Sequence, residues 1–340
     1  MVLTAGIRFP HLGIEIGEFG KSFSIFGFDI AYYGVIIGIG MIVGILMAIR
    51  EAKKTGQDPN DYIDLALYGI ICAIIGCRIY YVVFEWGYYK DHLLEIFDLR
   101  KGGLAIYGGI IGAVLCTMVL SKIKKIPVWR MLDTGCTSLI AGQIIGRWGN
   151  FANREAFGGY TDGLLAMQIR VEDAAYTTPE LLEKMVTVNG VNYIQVHPTF
   201  LYESLWNLGV LIILLLCRRH KKFEGEVFLM YAAGYGIGRA WIEGLRTDQL
   251  LLPVVGLPVS QILSIVVAIV CIGMIVYKRL QLKKAGSVMN AETAGNDKED
   301  TKDHGAVREI KADENRTEVT EAEGSKAADA AAKEHQNGDN

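Results

Sequence analysis

Tyr235, Arg239, Glu243 and Arg246 follow one another at intervals of four, four and three residues in EVFLMYAAGYGIGRAWIEGLR, Glu226 to Arg246. Those intervals put all four on one face of a helix. A charged side chain at the centre of a lipid-facing helix costs about 2.5–3.5 kcal/mol, so the stripe must look inward. One i,i+4 ion pair would satisfy Arg239 and Glu243 alone. Arg246 and Tyr235 carry the stripe further than that, which favours a cavity wall. A second polar group closes another apolar run: GRWGNFANREAFGG, Gly146 to Gly159, holds two Arg, two Asn, one Glu and four Gly. Arginine grips phosphate through bidentate, charge-assisted hydrogen bonds. Two arginines on separate helices at one level therefore suit an anionic headgroup.

The elements that carry these groups are apolar. Half of the chain is hydrophobic (51%), with 39 Gly in 340 residues and a mean hydropathy of +0.28, values of a polytopic membrane protein. Seven segments reach the length needed to cross a hydrocarbon core of about 30 Å: 29–49, 62–84, 104–121, 131–149, 199–217, 226–245 and 259–277. Basic residues follow alternate spans: Arg50, Lys53 and Lys54; Lys122, Lys124, Lys125 and Arg130; Arg218 to Lys222; Lys278, Arg279, Lys283 and Lys284. Basic loops mark the cytoplasmic side, so the N-terminus is expected outside and the C-terminus inside. The expected fold is an all-α polytopic integral membrane protein of about seven transmembrane helices. Residues 1–28 form an extracytoplasmic arm without the pattern of a cleavable signal. Residues 29–284 form the membrane domain, within which 150–198 make a small extracytoplasmic head.

The tail, 285–340, holds 14 acidic and 7 basic side chains and almost no aliphatic ones. It cannot bury enough apolar surface to offset its ordering entropy, and a disordered acidic cytoplasmic segment is expected. Six Cys fall within or at the ends of apolar runs, without a CxxC pair, and read as small hydrophobes. No zinc, P-loop or dinucleotide pattern occurs, so neither a metal nor a cofactor is expected, and nothing points to nucleic acid. Arg78, Asp133 and Glu203 also lie inside spans and read as interhelical ties that pair with opposite charges. Tyr33 opens the first span, and Tyr107 stands between glycine pairs in RKGGLAIYGGIIG, Arg100 to Gly112. With the outward topology these groups converge near the outer leaflet.

The stretch GRWGNFANREAFG, Gly146 to Gly158, resembles the signature of the bacterial prolipoprotein diacylglyceryl transferase family, G-R-x-G-N-F-x-N-x-E-x-x-G, at every fixed position. GCRIYYV, GGLAIYGG, HPTFLYE and GYGIGRAWIEGLR resemble further family blocks in the family's order. The likeness spans about residues 7 to 284. It implies an enzyme of the cytoplasmic membrane that moves the diacylglyceryl group of phosphatidylglycerol onto the lipobox Cys thiol of a preprolipoprotein signal peptide. The products are a thioether and glycerol 1-phosphate. The nucleophilic sulfur then belongs to the substrate, which accounts for a chain without a reactive Cys. By resemblance, Arg147 meets the lipid headgroup, and Asn150 and Asn153 bond its glycerol or phosphate. Glu155 orients an arginine. Arg239 activates the thiol or holds the phosphate, with Glu243 fixing it and Arg246 beside it. Tyr33 and Tyr235 line the cavity, and Gly158 admits a chain reversal. Many family members carry His where this chain has Tyr107. Phenols titrate near 10, so Tyr107 is expected to position thiol or phosphate, with base duty light or shared. His197, before Pro198, reads as structural. The competing reading from residues alone is a membrane transporter or binding protein for an anionic solute or lipid. It would favour two related halves with broken helices, and the chain shows no such repeat.

Overall fold

The computed structural model describes residues 5–99, 102–251 and 256–285; of the expected acidic tail, only Ala285 lies within them. Strands β1 (Ala5–Phe9), β2 (Ile14–Gly17), β3 (Ser22–Ile25) and β4 (Phe28–Ala31) precede helix α1 (Tyr32–Lys54). Helices α2 (Pro59–Phe84), α3 (Trp86–Tyr89), α4 (Ile106–Lys124) and α5 (Val128–Asn153) follow. Next come β5 (Met167–Arg170), α6 (Pro179–Glu183), β6 (Val186–Val188) and β7 (Val191–Val196). Helices α7 (Thr199–Cys217), α8 (Glu226–Glu243) and α9 (Val259–Ala285) complete the described chain. A long helix thus stands at each of the seven apolar segments. Five of them, α1, α2, α4, α7 continued to His220, and α9, are long and apolar enough to cross a bilayer, with mean hydropathies of 1.8 to 2.7. The other two, α5 and α8, carry the charges: Arg130, Asp133 and Arg147 on one, Glu226, Arg239 and Glu243 on the other. The chain is a mostly helical membrane protein.

Contacts divide the chain into Met1–Val276 and Tyr277–Asn340. The described part of the second unit is the end of α9, where Gln281 Nε2 donates to the Tyr277 hydroxyl at 2.7 Å. The first unit holds the bundle and the head.

Small residues set the bundle's closest approach. A Cβ on Gly108 would overlap the Gly76 carbonyl, and one on Gly112 would overlap that of Cys72, so α2 and α4 meet backbone to backbone. Close approach of this kind is what small residues supply in a bilayer. Gly108→Ala must push the helices apart, a destabilisation of about 1–3 kcal/mol. A lowered midpoint of thermal unfolding in detergent micelles is expected, and an unchanged midpoint would contradict the contact.

Two of the expected ionic ties take another form. Arg78, buried in α2, donates to the carbonyls of Ile96 (2.7 Å), Gly102 (3.0 Å), Gly103 (2.9 Å) and Asp98 (3.2 Å), and its guanidinium lies over Tyr89. It organises the connection between α2 and α4 and, among the described residues, pairs with no intramembrane acid. Asp133 accepts the Gly225 and Phe228 backbone N–H groups, each at 2.9 Å, and meets Lys221 Nζ at 3.2 Å. It caps α8, where an anion is favoured by the helix dipole. Glu203 alone of the three pairs with charges on other long helices, while Asp133 pairs with Lys221 in the connection before α8.

The all-α expectation needs correction. An antiparallel sheet of order β2-β1-β5-β7-β6 forms the head, and β3 and β4 make a separate hairpin. Ile7 pairs with Ile169, so the N-terminal arm supplies two strands of the same sheet as the 150–198 region. Strands of three to six residues show too little alternation to be read locally. Their pairing joins residues some 160 positions apart, which no local pattern reveals. Ile7, Ile169, Ile194, Val196 and Phe157 fill the core beneath the sheet, and Phe200 of α7 joins them.

Candidate active site

The signature segment ends α5 and then turns twice. Arg154 and Ala156 both adopt left-handed conformations, at φ 53° and 56°. The buried Arg154 guanidinium lies over the Phe19 ring at 4.3 Å and donates to the Phe19 carbonyl, which clasps the N-terminal arm. Beyond the turns, the Gly158 and Gly159 backbones are threaded between the exits of β7 and α8. Gly158 N donates to His197 O (3.0 Å), His197 N to Gly159 O (3.0 Å) and Gly159 N to Leu245 O (2.9 Å). A Cβ on Gly158 would stand 2.7 Å from Leu245 O and 2.8 Å from His197 Cβ, so only glycine fits. The Thr199 hydroxyl donates to Ala156 O and fixes the start of α7 to the same segment. Three pieces of chain distant in sequence are thereby locked at one place.

That lock positions a charge network whose hub is Glu203, 4% exposed in α7. Arg147 Nε of α5 meets its Oε2 at 2.5 Å, and Arg239 Nη1 of α8 donates to its Oε1 at 2.8 Å. Arg246 Nη1 stands 3.9 Å from the same Oε1. Arg239 Nη2 is also paired with Glu243, to which the Ser260 hydroxyl donates. Arg246 forms a bidentate pair with Asp248, at 2.9 and 2.7 Å. On the other side Arg147 Nη1 reaches Asn150 Oδ1 at 3.5 Å, and Asn150 Nδ2 donates to Glu155 Oε1 at 2.9 Å. Arg147 Nη2 and Arg239 Nε take no part in these pairs.

A cavity of about 580 Å³ opens beside the network, walled by α1, α2, α4 and α5. Tyr33, Arg147 and Asn150 line it together with apolar residues such as Ile37, Leu65 and Met131. The Tyr33 ring packs on Gly149, where a Cβ would approach to 2.8 Å. Such a space accepts hydrocarbon and offers a polar group its partners at the arginine end.

The structure therefore joins Arg147, Asn150, Glu155, Arg239, Glu243 and Arg246, with Tyr33 and Gly158 at the edges. It leaves three expected residues apart. Tyr235 stacks on Tyr231 (6.0 Å), and Tyr107 lies against Tyr80 (6.4 Å). The Asn153 side chain has no hydrogen-bond partner among the described residues. The hub itself, Glu203, reads from sequence as a mere tie. Its signal is in HPTFLYE, an acid about one turn into an apolar helix that begins at the level of the signature. His197 Nδ1 lies 3.3 Å from the Tyr202 hydroxyl, and burial lowers the tendency of this imidazole to take up a proton. Among the described residues no group of three His, Cys, Asp or Glu could hold a metal ion.

Guanidiniums and carboxylates of separate helices, gathered beside a hydrocarbon-lined cavity, place this chain among polytopic membrane proteins with a buried charge network. The particular family follows from comparison: the chain belongs to the prolipoprotein diacylglyceryl transferases, whose family model matches residues 21–277. Among its relatives, the phosphatidylglycerol–prolipoprotein diacylglyceryl transferase of Clostridioides difficile is 44% identical over 245 residues, covering 72% of this chain and 89% of the relative. Those of Listeria welshimeri (43% over 254 residues, 75% and 87%) and Bacillus velezensis (42% over 253 residues, 74% and 89%) carry the same name.

Proposed function

We propose that this chain transfers the diacylglyceryl group of phosphatidylglycerol to the lipobox Cys thiol of a preprolipoprotein, releasing glycerol 1-phosphate. The relatives' names state both substrates. The observation that carries the reading is the shared carboxylate: guanidiniums from α5 and α8 face one point, Glu203, beside a lipid-sized apolar cavity. A phosphoryl group at that point is the leaving group of the reaction, and arginines in a water-poor site stabilise the charge that builds on it.

In this reading Arg147 and Arg239 clamp the phosphate. Glu243 and Ser260 fix Arg239, and Arg246 adds positive potential. Asn150 holds the glycerol or phosphate, and Glu155 sets Asn150. Tyr33 lines the acyl and headgroup space, and Gly158 holds the segment in place. Seven helices cross the cytoplasmic membrane, with the N-terminus and head outside and residues 285–340 in the cytoplasm. The basic clusters on alternate loops support that orientation.

Incubating membranes that contain the protein with phosphatidylglycerol and a lipobox peptide tests the reading. Thioether product with stoichiometric glycerol phosphate is expected; solute uptake without thioether would support a transporter instead. Tyr107→Phe keeps the ring against Tyr80 and removes only a hydroxyl, so transfer should fall by less than about tenfold, one hydrogen bond's worth. A complete loss would make that hydroxyl a catalytic group.

A further inference from the structure

Glu203 stands where the functional reading puts the lipid phosphate, and two anions cannot share the facing edges of Arg147 and Arg239. Three arginines (Arg147, Arg239, Arg246) already pair with three carboxylates (Glu203, Glu243, Asp248), and a fourth carboxylate, Glu155, bonds Asn150 beside Arg147. An incoming phosphodiester adds another negative charge, which is costly in a site of low dielectric unless a carboxylate withdraws or is neutralised. Three of the four have a holder that the phosphate leaves in place. Ser260 bonds Glu243, Arg246 grips Asp248 in bidentate fashion, and Asn150 bonds Glu155. Among the described residues, Glu203 is held by guanidiniums alone. While they hold it, its carboxylate oxygens are engaged by the guanidiniums.

The reaction meanwhile generates a proton that needs a destination. His197 faces the Tyr202 hydroxyl and Tyr107 faces Tyr80, so neither belongs to the network. The carbon under attack is one bond from a phosphate ester oxygen. A thiol aligned behind it is within a side-chain rotation of a carboxylate that the phosphate has displaced.

We infer that Glu203 is the acceptor of the substrate thiol's proton, freed for this task when the lipid phosphate displaces it from Arg147 and Arg239. The inference rests on the functional reading above. The S–H proton passes to the carboxylate, and the sulfur electron pair forms the S–C bond. The C–O bond to phosphorus breaks, and its electron pair leaves on glycerol 1-phosphate. The phosphate gains one negative charge as the carboxylate loses one, so the network's total is unchanged. The proton then moves to the departing monoester or to water. The restored carboxylate closes again on the arginines and expels the product. Lipid must accordingly bind before the thiol is activated.

The test uses the full chain in nanodiscs containing phosphatidylglycerol. Glu203→Gln should lower transfer to a Cys lipobox peptide by about 10²-fold or more, while retaining labelled phosphatidylglycerol as the wild type does. A peptide with selenocysteine in place of the lipobox Cys, whose selenol is ionised at neutral pH, should restore transfer to within about tenfold of wild type. Undiminished transfer to the Cys peptide would overturn the proposal. So would an equal loss with both peptides while lipid is retained, the pattern of a purely positioning role. If the variant does not fold, the wild type decides. Alkylation of the bound lipobox thiol should quicken when a phosphatidylglycerol analogue with CH₂ in place of the scissile ester oxygen is added, and an unchanged rate would overturn the proposal. A wild type that makes no thioether from phosphatidylglycerol overturns the functional reading itself, and this proposal with it.

Discussion

Arg239→Ala lowers diacylglyceryl transfer by about 10³-fold or more, the loss expected when a preorganised charge partner is removed from a water-poor transition state. The residue lies at the network's centre, with one terminal nitrogen on Glu203 and the other on Glu243. Its removal strands two buried carboxylates, and breaking a buried pair costs about 3–5 kcal/mol. Some of the loss would then reflect misfolding. Arg239→Lys separates the two effects. A lysine keeps the charge and neutralises one carboxylate, but it has no fork with which to span Glu203 and Glu243 while reaching a phosphate. Arg239→Lys should therefore insert and melt much as the wild type does, yet transfer at least about 10²-fold more slowly. Thioether product quantified by mass spectrometry, beside thermal unfolding of the same preparations, gives both readings. Near-normal transfer by either variant would remove Arg239 from the phosphate clamp.

The second large effect is expected where no charge is touched. Gly158→Ala sets a methyl group 2.7 Å from the Leu245 carbonyl and 2.8 Å from His197 Cβ, both belonging to segments that cannot move independently. Relief requires shifting the exit of α8, and Arg246 pairs with Gly158 across this very bridge. Overpacking of this kind costs about 1–3 kcal/mol in stability. The larger consequence is geometric, since a shift near 1 Å at a reacting centre is enough for about a 10²-fold loss of rate. The expected result is a protein that inserts, binds phosphatidylglycerol less tightly and transfers about 10²-fold more slowly. Full activity in Gly158→Ala would show that the α8 exit is free to move.

How much of this was legible in sequence depends on the range of the signal. The long helices were, because thirty ångströms of apolar length leaves a local record. The stripe of Arg239, Glu243 and Arg246 was too, because a helical repeat fixes which side chains share a face. The meeting of Arg147 with Arg239 was an expectation from level alone, and the carboxylate that brings them together is visible only in three dimensions. The head's sheet was not legible: β1 pairs with β5 some 160 positions away, and its short strands carry little alternation. Arg78 shows a different limit. An arginine inside an apolar helix announces that it needs partners, but five residues' worth of backbone carbonyl in a nearby loop serve as well as an acid.

The most direct measurement is an experimental structure with phosphatidylglycerol bound, read at the phosphorus atom. The account places it within about 4–5 Å of the guanidinium carbons of both Arg147 and Arg239, the reach of charge-assisted N–H···O bonds, with the acyl chains along the cavity below Tyr33. A phosphate seated instead at the apolar groove of about 940 Å³ between α2 and α4, with both arginines still closed on Glu203, would contradict it.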